Sequence, residues 1–78
     1  METLYLLVET AVGEVEEVAR RARAIPHVVE VEGVTGPFDL IVKLQAPHIH
    51  EALDVIMNRI RRIPGIKSTE TLVTVSRP

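Results

Sequence analysis

Residues 33–39 combine the side chains and backbone groups that could hold a zwitterion. Thr35 supplies a hydroxyl, Gly36 an unshielded backbone N–H and Asp39 a carboxylate. A carboxylate binds an ammonium through charge-assisted hydrogen bonds, and exposed backbone N–H groups bind a carboxylate. The glycines and Pro37 also suit an ordinary hairpin turn. The segment therefore predicts either an amino-acid site or a turn that binds nothing.

Two threonines near the C-terminus offer further hydroxyls. Thr69 and Thr71 are two positions apart, so on a strand they share one face and could both reach a ligand at a subunit junction. Threonine is also favoured in strands for its β-branched shape alone. Both interpretations stay open at this stage.

The histidines and serines predict neither a metal site nor a nucleophile. His48 and His50 lie two apart at a predicted helix start, where side chains point away from each other, and His27 lies in a separate turn. The chain has no cysteine, and no serine has a local histidine partner, so covalent catalysis is not expected.

Arginines cluster near the end of each predicted helix. They are Arg20, Arg21 and Arg23 in the first helix and Arg59, Arg61 and Arg62 in the second. Cations stabilise the negative end of the helix dipole. The alternative is contact with another protein or with a phosphate.

Length and composition limit the class of protein. Seventy-eight residues suffice for one compact domain, and the formal net charge is −2. This charge does not attract nucleic acid, and only Tyr5 and Phe38 could stack on bases. No apolar segment is long enough for a signal peptide or a membrane span, so a cytoplasmic protein is expected.

The first half of the chain predicts a strand, a helix and two further strands. Residues 4–8 form an apolar run of strand length, and helical spacing follows from Gly13 until the break before Pro26. The apolar face of this helix is Val15, Val18, Ala19 and Ala22, and its ion pairs are expected at Glu16–Arg20 and Glu17–Arg21. Residues 28–35, in which Val29 and Val31 alternate with glutamates, and residues 40–44 read as strands around a turn.

The second half repeats this pattern. Pro47 suits a first helical position, and the helix ends at Pro64-Gly65. Its apolar face is expected to be Ile49, Leu53, Ile56, Met57 and Ile60. Residues 68–76 predict the last strand. Segments 25–28 and 63–66 match at an offset of 38, which indicates two βαβ halves. We expect an α+β, ferredoxin-like βαββαβ sandwich with antiparallel order 4-1-3-2 and both helices on one face.

The two predicted helices leave one face of the predicted sheet without cover. The first strand offers Leu4 and Leu6 to one face and Tyr5 and Leu7 to the other. Two helices cover only one face, and leaving the second in water would forgo several kcal/mol of apolar burial. A partner subunit is the simplest cover, so the protein is not expected to be a monomer.

Segments 26–28, 34–40, 63–66 and 69–71 together resemble RAM domains, the ligand-binding domains of Lrp/AsnC-family regulators. The most specific parts are the T-G-x-x-D turn and the I-P-G-I-x-x-T-x-T segment. The resemblance implies an amino acid bound between dimers near this turn, with Gly36 and Asp39 as the first candidates. Together with the hydroxyls already noted, the candidate ligand-binding positions are Thr35, Gly36, Pro37, Phe38, Asp39, Thr69 and Thr71. Phe38 departs from the tyrosine that is frequent there, which removes a phenolic hydroxyl.

The resemblance also implies a role. Relatives usually carry a helix-turn-helix domain, whereas this chain begins at the first RAM strand, so residues 1–78 are expected to be a single RAM-like domain without one. The predicted function is non-enzymatic binding of an amino-acid effector by a homodimer that forms higher oligomers, alone or with full-length Lrp/AsnC-type regulators. No cofactor, metal, membrane or direct DNA contact is expected. The alternatives are a small dimeric ferredoxin-like enzyme, which would need a polar cavity between sheet and helices, and a purely structural oligomer.

Overall fold

The computed structural model describes residues 1–75 as one sheet with two helices and a short 3-10 turn. In chain order the elements are β1 (Glu2–Thr10), α1 (Val15–Arg23), β2 (Val28–Gly33), β3 (Leu40–Ala46), α2 (Ile49–Asn58), a 3-10 turn (Ile60–Arg62) and β4 (Ile66–Val73). Within residues 1–75, neither helix has the length and hydropathy of a membrane-spanning segment.

The four strands form one antiparallel sheet in the order β2-β3-β1-β4, and this confirms the expected fold and strand order. β1 lies in the centre, where Leu4 faces Leu44 on β3 and Val73 on β4. Each βαβ half crosses over through a helix, which places both helices on the same face.

The core lies between that face and the helices. Alternate residues of β1 and β3 are buried there, as the period of two requires. The largest fully buried side chains are Leu4, Leu6, Val8, Val18, Leu40, Val42, Leu44, Ile56 and Ile60. The only buried polar residue among those described is Thr10. The polar cavity that the enzyme alternative needs is therefore not found between sheet and helices in residues 1–75.

Helix α1 buries the expected face, with Val18, Ala19 and Ala22 inside. Its ion pairs differ in part from the prediction. Glu17 binds both Arg20 and Arg21, whereas the expected pair of Glu16 with Arg20 does not form. A single carboxylate, that of Glu17, therefore binds two guanidinium groups, in place of the two separate ion pairs that were expected.

Helix α2 begins two residues later than predicted and uses a different face. Its N-cap is His48, so Pro47 precedes the helix and is not its first residue. The buried residues are Ala52, Val55 and Ile56, followed by Ile60 in the 3-10 turn, whereas Ile49, Leu53 and Met57 are exposed. The prediction favoured the largest apolar side chains and overlooked Ala52, which lets the helix approach the sheet.

The strand boundaries also shift. β1 and β3 extend beyond the predicted residues 4–8 and 40–44, and β2 ends at Gly33 instead of Thr35. A bulge between Val28 and Glu30 turns Val29 outward, so it is 53% exposed and does not share the buried face of Val31 as predicted. β4 begins at Ile66, and the predicted end at residue 76 lies outside the described residues.

The second face of the sheet is uncovered. Leu7 pairs with Ile41 of β3, and Tyr5 pairs with Leu72 of β4. These four side chains remain partly exposed, Leu72 by 43%. The sheet therefore carries a contiguous apolar centre that neither helix of residues 1–75 contacts, which is hereafter called the open face.

Candidate functional site

The β2–β3 turn is anchored at both ends by backbone hydrogen bonds. The N–H of Val34 donates to the carbonyl of Asp39 at 2.9 Å, and the N–H of Asp39 donates to the carbonyl of Val8 on β1 at 2.8 Å. The first bond closes the hairpin. The second ties its base to the central strand, so the base of the turn is fixed relative to the sheet.

The tip of the turn is open to solvent. Thr35, Gly36 and Pro37 are exposed, and a Cβ built on Gly36 would meet no atom within 4 Å. The φ angle of Gly36 is +119°, a conformation that residues with a side chain rarely adopt. The sequence therefore needs glycine here for the backbone conformation, and its N–H is accessible as a consequence.

The carboxylate of Asp39 joins the ends of two strands. Its Oδ2 accepts a hydrogen bond from the backbone N–H of Thr10 at 2.8 Å and a longer one from the Thr10 hydroxyl at 3.3 Å. Thr10 is 7% exposed, so this acceptor satisfies a buried donor. Among residues 1–75, Oδ1 accepts no hydrogen bond. One oxygen of Asp39 thus has a structural role, and the other is available to a ligand.

Sequence reasoning missed Thr10. Its partner Asp39 is 29 residues away along the chain, and only the register that sets Val8 opposite Leu40 brings the two together. A threonine at the end of an apolar strand carries no signal that distinguishes it from other strand threonines. A charged acceptor just after a turn is the one feature that suggests a nearby buried donor.

Thr69 and Thr71 lie away from the turn. They pair with Val8 and Leu6 of β1 and therefore point to the same side of the sheet as the helices. β1 separates them from Asp39, and two strand spacings amount to about 10 Å. Within one chain, the seven predicted ligand-binding residues thus form two groups, the turn (Thr35, Gly36, Pro37, Phe38 and Asp39) and the β4 pair (Thr69 and Thr71).

Phe38 is half-buried, as are Val34 and Asp39. Phe38 lies between the exposed Pro37 and the anchored Asp39. Its ring can contribute apolar contact to a ligand but no hydroxyl.

The prediction that His48 and His50 point apart is wrong. Their rings stack with centroids 5.6 Å apart and planes inclined by 9°. The reason is that His48 precedes the helix in an extended conformation, so helical spacing does not apply to the pair. No group of three or more potential metal ligands occurs within residues 1–75.

Comparison with known proteins identifies the type of domain. The sequence model of the Lrp/AsnC ligand binding domain matches residues 3–78. The HTH-type transcriptional regulator FL11 of Pyrococcus horikoshii is 32% identical over 71 residues, which are 91% of this chain and 46% of the regulator. The chain thus spans about half the length of this curated relative.

The chain is also similar to a solved structure and to a part of an enzyme. The crystal structure of FFRP-DM1 superposes with a TM-score of 0.90 at 35% identity, and the match covers 96% of this chain and 100% of that chain. Homocitrate synthase of Sulfurisphaera tokodaii is 37% identical over 60 residues, which are 77% of this chain but only 13% of the enzyme. Similar sequences therefore occur within a regulator, as a chain of the same extent and as a small part of a biosynthetic enzyme.

Proposed function

Because the chain belongs to the Lrp/AsnC ligand binding domain family, we propose that it binds an amino acid at the β2–β3 turn and that this binding is coupled to assembly of its subunits. Membership of the family identifies an effector-binding domain of transcriptional regulators, not a catalytic domain. We propose in addition that the effector is an amino acid, that it contacts the β2–β3 turn, and that the subunits assemble.

The proposal rests on one observation, namely that the candidate ligand-binding groups are present but do not enclose a cavity within one chain. Oδ1 of Asp39 is unbonded among residues 1–75, the tip at Gly36 is exposed, and the β4 pair is a strand away. An ion pair in water contributes only about 0–1 kcal/mol. An ammonium on Asp39 therefore requires a second surface that excludes solvent, and another subunit supplies one.

The open face supports the assembly. Tyr5, Leu7, Ile41 and Leu72 lie side by side on three strands. Completing the burial of a half-exposed apolar side chain contributes about 1 kcal/mol, so covering these four side chains on each of two subunits contributes several kcal/mol. This exceeds what scattered exposed apolar residues provide and favours a partner that is a second copy of the sheet.

Ligand binding can be tested by a thermal-shift screen over the proteinogenic amino acids, followed by calorimetry on any hit. A ligand that binds only the folded state raises its apparent stability. Asp39→Asn should weaken binding at least tenfold, and Thr35→Val should weaken it less. Glu16→Gln, which removes an exposed charge with no ion pair or hydrogen bond among residues 1–75, is the matched control and should bind as the wild type does.

Two structural effects must be separated from ligand contact. Any side chain at Gly36 strains the backbone because of the φ angle of +119°, so a Gly36 variant does not test ligand access by itself. Thr10→Val removes the hydroxyl that contacts Asp39 and leaves its charge in place. If Thr10→Val and Asp39→Asn reduced affinity equally, or if no amino acid bound the wild type, the turn would be only a hairpin.

Assembly can be tested by the mass of the protein in solution. Leu7 and Ile41 both lie on the open face, so Leu7→Lys should dissociate the assembly and leave the folded subunit of 8.7 kDa. Leu53→Lys introduces the same charge at a 38% exposed position on α2 and should leave the mass unchanged. A wild-type protein that stays at 8.7 kDa at micromolar concentration would refute the assembly.

We further propose that residues 1–78 act as a domain by themselves in the cytoplasm and join full-length Lrp/AsnC-type regulators in mixed oligomers without contacting DNA. The match to FFRP-DM1, which covers that chain completely, supports only the first part of this proposal, a domain that acts by itself. The chain should co-purify with such a regulator and should not retain an operator fragment when alone. Salt-sensitive, sequence-selective binding of the fragment by the chain alone would contradict it.

A second candidate role is effector sensing beside an enzyme. The similarity to a part of homocitrate synthase favours it, because a domain of this family can then accompany catalysis instead of DNA binding. Both roles use the same effector site. They are distinguished by which protein the chain captures, a regulator or a biosynthetic enzyme.

A further inference from the structure

A groove on the helix layer gathers four arginines over an apolar floor. Its volume is about 350 Å3. It is lined by Arg20, Arg21, Ala24, Ile25, Arg59, Arg62, Ile63 and Pro64, and we call it the arginine groove. None of the predicted effector-binding residues lines it, so it is separate from the β2–β3 turn.

Both halves of the internal repeat contribute to the groove. Arg21 and Arg59 are 38 residues apart, as are Ile25 and Ile63. Ala24 caps the C-terminal end of α1, and Arg59 caps that of α2. The groove therefore lies where the ends of two equivalent helices approach each other, and it presents similar groups from two sides.

The floor and the rim differ in character. Ile25 and Ile63 are each 8% exposed and belong to the core, so the floor is rigid and apolar. The four arginine side chains of the rim are exposed. Such a cavity can take an organic group on its floor and anionic groups at its rim.

One carboxylate orients half of the rim. Glu17 accepts from Nε and Nη2 of Arg20 and from Nε of Arg21, the last at 2.7 Å. These contacts hold the pKa of Glu17 at about 2, below the ordinary 4.5, so it stays ionised at neutral pH. Among residues 1–75, the terminal nitrogens of Arg21 donate no hydrogen bond, so they can donate to a ligand.

The other half of the rim carries uncompensated charge. Within the described part of the chain, neither Arg59 nor Arg62 has a carboxylate within 4.0 Å. Stabilisation of helix ends does not account for all four cations, because each helix C-terminus carries only about half a negative charge. After Glu17 and two helix ends are counted, a surplus of about two positive charges remains.

We propose that the arginine groove binds a small molecule that carries phosphate. A phosphate group has about two negative charges at neutral pH and three acceptor oxygens, which matches the surplus. Guanidinium groups bind phosphate through paired N–H donors. No aromatic residue lines the groove, so the organic part is held by aliphatic contact and not by base stacking.

The test uses inorganic phosphate and pyrophosphate as probes, titrated calorimetrically at constant ionic strength. Pyrophosphate should bind the wild type more tightly than phosphate, and Arg59→Gln/Arg62→Gln should weaken it at least tenfold. The matched control is Arg61→Gln, in which the neighbouring arginine, whose Nη1 contacts the sulfur of Met57, lies outside the groove. It should bind as the wild type does.

Circular dichroism at the titration temperature shows whether the double variant is folded. If it is not, each single variant is measured instead, and each should lose at least threefold in affinity. Asp39→Asn should keep full affinity for pyrophosphate, so failure at the effector site and failure at this groove are distinguishable. Equal binding by wild type and groove variants, no binding at all, or tighter binding of duplex DNA or polyglutamate than of pyrophosphate would overturn the proposal.

Discussion

Replacing Asp39 with alanine should destabilise the fold by about 2 kcal/mol, even without any ligand. The substitution removes the acceptor of the Thr10 backbone N–H, which it meets at 2.8 Å and which belongs to a residue only 7% exposed. A buried donor left without a partner costs about 1–3 kcal/mol. The hydroxyl of Thr10 adds little, because its contact is longer, at 3.3 Å, and it can rotate to another acceptor.

The expected loss is large for a chain of this size. Folded domains of 78 residues have about 4–12 kcal/mol of stability in total. A loss of 2 kcal/mol corresponds to a fall in Tm of about 8–16 °C. Asp39→Asn should cost about half as much, because the amide oxygen can still accept the same N–H without the charge.

The assay is urea unfolding followed by circular dichroism at one fixed protein concentration, since the proposed assembly would also contribute to apparent stability. Thr10→Val serves as the control, because it removes the weaker contact and keeps the stronger one, and it should lose less than Asp39→Asn. If Asp39→Ala unfolded within about 0.5 kcal/mol of the wild type, as exposed positions do, the carboxylate would have no structural role. All of Asp39 would then be available to a ligand.

Four further substitutions test the packing and the charges. Gly65→Ala should lower the free energy of unfolding in urea by about 2–3 kcal/mol, because the φ angle is +100° and the new Cβ would lie 3.0 Å from the Cβ of Glu14. His27 also has a positive φ angle, of 75°, which glycine adopts readily, so His27→Gly should unfold within about 0.5 kcal/mol of the wild type. Leu6→Ala should cost about 3 kcal/mol, because the side chain is fully buried, and a loss under 1 kcal/mol would contradict that burial. The pKa of Glu17 is about 2 in the folded chain, below its ordinary value of 4.5. The contribution of its ion pairs to stability is therefore complete above pH 4.5 and disappears as the pH falls to about 2. Between pH 4.5 and pH 2, the Tm of Glu17→Gln should fall less than the Tm of the wild type.

Element order and topology could be predicted from the sequence because they depend on periodicity. The apolar run that contains Leu4 and Leu6 and the helical spacing of Val18 and Ala22 each admit one kind of element. The crossover rule then leaves one arrangement of two βαβ halves. None of these steps requires knowledge of side-chain contacts between distant residues.

Details that depend on packing could not be predicted. Ala52 faces the sheet in place of Leu53 because close approach of a helix needs a small side chain, and apolar spacing does not encode this choice. The outward turn of Val29 depends on a bulge that forms against β3. Similarly, the turn residues were recognisable as a group, but the bond between Thr10 and Asp39 depends on the strand register that brings together two residues 29 positions apart.

The outer strand β2 has features that oppose aggregation of the protein at high concentration. Unpaired backbone groups along the edge of a sheet are a template for adding strands from other copies, which leads to fibrils. In β2 the bulge at Val28 and Glu30 interrupts that template, and a guanidinium nitrogen of Arg23 already binds the carbonyl of Val31 at 3.2 Å. The exposed Glu30 and Glu32 would also place like charges together in any strand added there. These three features of β2 therefore oppose the growth of fibrils along that edge.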